Sequence, residues 1–346
     1  VTLAPPRSAR AGAAAAQPPA RAQLRRFGAG AALLVVVGAL TMLSVGVGSR
    51  PVSLTEFGAL LAGNGGIDLD TLVWEVRLPR TLAALLVGAA LGAAGALMQG
   101  MTRNPLADPG LLGVSAGSAF AVVLGMSWFG LRSATGIAAV AVCGAAVVTA
   151  LVLVLGLRGV ADGSQLILAG VAFSMTVSGI QAAMTLLNPR MLDAMRSWSA
   201  GSLASPNLDV LMQTLPVFAV GGVLALTLAR PLNALALGDD LARGLGSHPL
   251  LTRAGTGLAT ACLVGAATAV AGPIGFVGLM VPHLVRPFTG PDARRVLIAS
   301  VMAGPALVLA ADVLARVVLW PGEIPVGIVS AAVGAPVLLI LIRRSR

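Results

Sequence analysis

Apolar runs of roughly 17–24 residues, each long enough to cross a hydrocarbon core of about 30 Å as a helix, recur along this 346-residue chain. No other feature limits its fold as much. In lipid the backbone must satisfy its own polar groups, which leaves helices or closed barrels. Barrel strands alternate apolar with polar residues, and these runs do not. Charged residues make up 10% of the chain, against about 25% in a soluble domain, and the mean hydropathy is +0.93. The expected fold class is an all-α polytopic membrane protein.

The first run, "LRRFGAGAALLVVVGALTMLSVGVG" (24–48), follows a Pro-, Ala- and Arg-rich arm. Its paired arginines resemble an export signal, but about 20 apolar residues exceed the 7–15 of a signal core. It is read as a membrane helix, with 1–26 a disordered cytoplasmic arm and 27–346 the membrane domain. Further spans are expected near 82–101, 111–128, 134–157, 166–187, 208–229, 254–271, 274–285, 296–319 and 326–342. The total is about ten, which places both termini on one side. All 23 basic residues are arginine. With the termini inside, sixteen arginines lie on the inner side and seven on the outer, as the positive-inside rule requires. The chain is therefore expected in the plasma or inner membrane with both termini cytoplasmic.

Several kinds of chemistry are excluded. The net charge of +10 is scattered over loops and aromatics are only 3%, so no nucleic-acid face is formed. A chain without lysine has no phosphate-binding G-x-x-x-x-G-K-[ST] loop. Two histidines, His248 and His283, make no metal cluster, and no hydrolase motif is present. No catalytic residue, metal site or cofactor is expected. His283, beside a helix break, reads as a hydrogen-bonded structural residue rather than an iron ligand. Cys143 and Cys262 read as small buried packers. In the outer loop 188–206, Arg196 and Trp198 suit an interfacial anchor.

Asp312 is the one carboxylate inside a span. It admits two readings: an ion-coupling site, or a structural partner for Arg316 one turn away. Gly88, Gly92 and Gly95 share a helix face that allows close packing. "LVGAALGAAG" (86–95) and "LVGAATAVAG" (263–272) echo one another in spans expected to run in opposite directions, as in inverted repeats.

What remains is a membrane body without an energy source of its own and one polar segment, 232–250, on the inner side. There Leu237, Leu241 and Leu245 form an apolar stripe, Asp240 and Arg243 a polar flank, and Asp239 sits near the helix N-terminus, with Gly246 as the stop. The alternative is an interfacial loop touching only lipid headgroups.

Four segments carry a family resemblance: "RLPRTLAALLVGAALGAAGALMQGMTRNPLADPGLLGVSAG" (77–117), "GPIGFVGLMVPHLVR" (272–286), "LAADVLARV" (309–317) and "EIPVGIVSAAVGAPVLLILI" (323–342). Together they resemble the permease subunits of ATP-binding-cassette importers for iron–siderophore chelates, haem and vitamin B12, the FecCD type, over roughly residues 50–342. The resemblance implies ten membrane helices (the type II importer fold). It also implies a second permease subunit, identical or homologous, two cytoplasmic ATP-binding subunits and an extracytoplasmic solute-binding protein. Ferric siderophore is the expected cargo, with vitamin B12 and haem as alternatives and an ion-coupled carrier as the rival class. By the same resemblance Leu237, Asp239, Asp240, Leu241, Ala242, Arg243, Leu245 and Gly246 form the ATPase-coupling helix. Arg77, Arg80 and Arg316 receive carboxylates of the binding protein, or else are plain interface anchors. Asn104, Leu106, Gly163 and Ser164 belong to the cytoplasmic gate.

Overall fold

Among the described residues ten helices of 13 residues or more stand where the apolar runs lie. The computed structural model describes residues 20–48, 50, 52–64, 66–157, 163–204 and 207–344, and no strand occurs among them. The chain opens with α1 (Ala20–Gly46), the short α2 (Leu54–Leu61) and α3 (Ile67–Asp70), then α4 (Leu78–Thr102), α5 (Val114–Trp128), α6 (Ala134–Leu157) and α7 (Gly163–Leu186). It continues through the short α8 (Pro189–Ser199), α9 (Leu208–Ala236), the short α10 (Asp239–Gly244) and α11 (Pro249–Ala271). The last three are α12 (Val277–Thr289), α13 (Ala293–Val317) and α14 (Val326–Arg344). Among the described residues seven helical spans have the length and hydropathy to cross a membrane, with Ile67–Thr102 counted as one; α5 (15 residues) and α12 (13 residues) are shorter, and α14 is apolar over Val326–Ile340.

The boundaries differ from expectation for local reasons. The first helix already begins at Ala20, so the end of the arm, "ARAQLRR", extends it. These residues are good helix formers; residues 1–19 of the arm lie outside those described. The second span is preceded without a break by α3 and a π-helical turn, Thr71–Arg77. Pro79 falls where the register returns from i−5 to i−4, so its missing N–H removes little. The unanticipated α2 is announced by a capping box: Ser53 Oγ accepts from the Glu56 N–H at 3.2 Å, and the Ser53 N–H donates to Glu56 Oε2 at 2.8 Å.

The fold centres on α4, whose most apolar window is 78% buried, against 11% for α1 at the periphery. Its glycine face is what permits this. A methyl on Gly88 would stand 2.6 Å from the carbonyl oxygen of Gly304 on α13, and methyls on Gly92 and Gly95 would strike the carbonyls of Ser300 and Gly278. Backbone thus lies on backbone, where dispersion and short approach replace the hydrophobic force absent in lipid.

Both the end of α4 (Arg103) and the start of α11 (Arg253) bind Asp239, so the two echoing segments run in opposite directions. This defines two ends of the bundle. The α10 end carries the start of α11 and the helix junction Asp292–Asn233. The opposite end carries the start of α4, the end of α1 and the end of α13, joined through Arg80, Ser44 and Arg316.

Candidate functional site

At the α10 end the polar segment folds into one and a half turns held by its own glycines. Gly238 (φ 112°) turns the chain out of α9, and Gly246 (φ 78°) closes the helix. The closure is a Schellman arrangement: the Ser247 N–H reaches Ala242 O at 2.9 Å and the Gly246 N–H reaches Arg243 O at 3.0 Å. Ala242 faces inward and is fully buried, while Leu237, Leu241 and Leu245 are 60–65% exposed. Asp240 and Arg243 pair with each other at 2.9 Å on the exposed flank.

Asp239 turns toward the bundle, its side chain 21% exposed. Arg253 grips its carboxylate with two bonds, 2.8 and 2.9 Å, and Arg103 adds a third at 2.8 Å. Helix α10 is thereby pinned to the ends of α4 and α11 at once. Hydrogen bonding from Arg253 is the main cause holding the Asp239 carboxyl below its ordinary value of 3.8. A lowered carboxyl pKa means the tether is complete above that value and is lost as pH falls below it. A spin label at position 241 should therefore stay restricted from neutral pH down to 3.8 and become mobile only in stronger acid.

Beside this helix, Asn104 forms an Asx turn, its Oδ1 accepting from the Leu106 N–H at 2.9 Å, and Leu106 is exposed. Gly163 and Ser164 begin α7, but their side chains lie outside the described residues, so the second half of the expected gate has no geometry here.

At the opposite end Arg77, Arg80 and Arg316 come together inside the chain, each 3–5% exposed. Asp312 accepts from Arg80 Nη2 at 2.8 Å and also from Arg316 Nη2. The pairing of Asp312 with Arg316 is as expected; Arg80, from a helix 232 positions away, is the addition. Arg316 further donates to Ser44 O (2.7 Å) and Val47 O (2.9 Å), tying α13 to α1. Arg77 donates to backbone carbonyls, Gly46 O among them at 2.9 Å, and has no carboxylate among the described residues. Only the outer edge of Arg80 meets a group one-third exposed, Glu323, at 2.8 Å. The three arginines expected to receive carboxylates of a binding protein, or to anchor the interface, thus lie in a buried network in which α4 and α13 share the Asp312 carboxylate. Neither Ser44 nor Glu323 carried a sequence signal for this role.

Two smaller expectations resolve differently. His283 Nδ1 is buried without a hydrogen-bond partner rather than bonded. Cys143 is exposed on α6, and Cys262 is half-buried; both are free. Trp198, half-buried, packs on the cluster around Met191 and Met195, and Arg196 beside it is exposed. Among the described residues no group of three His, Cys, Asp or Glu could hold a metal ion.

Comparison with known proteins agrees with this architecture. The chain is 47% identical over 316 residues to the ferric enterobactin transport system permease protein FepD of Escherichia coli (strain K12), covering 90% of this chain and 93% of that one. It is 40% identical over 293 residues to the Fe(3+) dicitrate transport system permease protein FecC of the same organism, covering 83% and 87%. A solved metal-chelate type ABC transporter in an inward-facing conformation superposes with a TM-score of 0.79 at 29% identity, covering 93% of this chain and 99% of that one. The model of the FecCD transport family matches residues 33–344. A ten-helix bundle with these motifs, matched over nine-tenths of its length, belongs to the FecCD transport family.

Proposed function

We propose that this permease is the passive conduit of an importer, worked at the α10 end by a nucleotide-hydrolysing partner and loaded at the other end by a solute-binding protein. One observation carries the reading: three exposed leucines project from a helix whose inner side is bolted to α4 and α11. An uncovered apolar knob on a rigid mount transmits force; a headgroup-skimming loop has no need of the mount. With the α10 end and both termini in the cytoplasm, the arginine excess falls on the inner side. Hydrolysis then belongs to two ATP-binding partners, and this chain is not an enzyme. A second permease subunit completes the path, and α7, with only 17% of its apolar window buried, offers an uncovered face for it. Ferric siderophore is the cargo favoured by the resemblance to FepD.

At the opposite end, docking fits a displacement mechanism. Arg80 and Arg316 match Asp312 and Glu323 in number, and Arg77, held by backbone carbonyls, leaves one positive charge in excess. A carboxylate of the binding protein would replace Glu323 on Arg80, the one guanidinium edge near the surface. The ion-coupled rival is disfavoured because Asp312 is already held by two arginines.

The test uses the assembled transporter in proteoliposomes. Leu241→Asp puts a charge in the apolar contact and should lower ATP-driven uptake at least thirtyfold, the effect of losing an interface hot spot worth about 2 kcal/mol. Asp240→Asn, on the outer flank, should stay within twofold. Accumulation of cargo against its gradient by this chain alone, with no ATPase added, would end the proposal.

A further inference from the structure

A groove of about 810 Å³ runs between α1, α12 and α13 on the outside of the bundle. Its walls are apolar except at the α10 end, where Arg295 stands at the mouth. From Ala29 to Leu40 the α1 wall is about 17 Å long at 1.5 Å per residue, close to the depth of one leaflet of a core about 30 Å thick. The groove therefore begins at the membrane surface and ends near the bilayer midplane.

Its mouth carries a free charge. The Asp292 carboxylate, three positions before it, accepts instead from the Arg295 backbone N–H (2.8 Å) and from Asn233 (3.1 Å). Among the described residues the Arg295 guanidinium has no carboxylate partner within ion-pair distance. Phe288, 61% exposed, stands beside it as an apolar rim. The space opposite is unobstructed: a methyl added to Gly30 would meet nothing within 4 Å.

We infer that this groove is a binding site for one anionic phospholipid of the leaflet on the α10 side, its phosphate on Arg295 and one acyl chain laid between α1 and α13. The chemistry of the two parts selects the class. An apolar channel of leaflet depth takes an acyl chain, and an unpaired guanidinium at headgroup level selects negative over zwitterionic lipid. The site touches neither the coupling helix nor the buried ion network, so it stands apart from the importer reading.

The experiment is native mass spectrometry of the full chain in detergent, titrated with phosphatidylglycerol or phosphatidylcholine of the same acyl length. One phosphatidylglycerol should be retained about fivefold more strongly than phosphatidylcholine, the expected worth of one arginine near the surface. Arg295→Gln should erase that preference while leaving acyl binding. Gly30→Phe, and Ala306→Phe on the facing wall, should each displace both lipids. Unchanged melting temperatures in lipid-free detergent show that these variants are folded. Should one filling variant fail to fold, the other decides, and loss of the headgroup preference in Arg295→Gln is read independently of both. Equal retention of the two lipids, retention undiminished by filling the groove, or equal displacement by free inorganic phosphate would overturn the assignment. So would loss of a second copy of the chain, rather than of lipid, in the filled variants.

Discussion

Asp312→Ala is expected to cost about 3–5 kcal/mol of stability, the range for removing one partner of a buried ion pair. The cost comes from the charges left stranded more than from the attraction removed. Arg80 and Arg316 are 5% and 4% exposed, and both direct a guanidinium at this one carboxylate. Without it, Arg80 keeps only Glu323, and Arg316 keeps only oxygens of the first helix and the turn after it. Thermal unfolding of the purified chain, followed by loss of the monodisperse peak, measures the effect. Glu323→Gln should cost under about 1 kcal/mol, since that carboxylate is one-third exposed and water screens it. Asp312→Ala combined with Arg316→Met should recover part of the loss, because one of the stranded charges is gone. A melting temperature for Asp312→Ala equal to the parent's would show that the network is not structural, and would reopen the ion-coupled alternative.

Gly95→Leu is expected to be at least as damaging. Even a methyl there strikes the carbonyl of Gly278, so the obstacle is backbone, which cannot rotate out of the way. Overpacking usually costs about 1–3 kcal/mol, and this site lies at or beyond the top of that range because two helices must separate. Gly88→Leu should act alike, meeting Gly304 O and Pro305 N already at 2.6 Å for its first carbon. Gly222→Ala is the control. It sits in α9 with nothing within 4 Å of the added methyl, so the change should be neutral or stabilise by up to about 1 kcal/mol through helix propensity. Detergent melting curves of the three variants separate the outcomes; a Gly95→Leu protein as stable as the Gly222→Ala protein would refute the close-packed seam.

The helical body was legible because membrane helices are written locally. Length, hydropathy and Pro or Gly breaks act within one segment, and α6 (Ala134–Leu157) begins and ends where its apolar run does. Departures from the expected spans have equally local causes. The Ser53–Glu56 capping box starts α2 outside any apolar run, and α9 continues through Pro231 where a stop is expected. The leucine stripe and glycine stop of α10 are local features too, and readable for the same reason.

The arginines were different. Arg77, Arg80 and Arg316 could be picked out, but nothing in their surroundings along the chain told whether they face water or one another. The carboxylate that takes Arg80 lies 232 positions away, and Asp239 turns inward only because α4 and α11 end beside it.

The amino-acid order alone settled that this is a bundle of membrane helices, where they run and which short helix stands proud of them, since hydrophobic length and turn chemistry need no partner. Which charges are sealed inside, and which edge stays exposed, was decided only by tertiary packing. A guanidinium has the same chemistry in either place, and its fate depends on what the rest of the chain brings within about 3 Å.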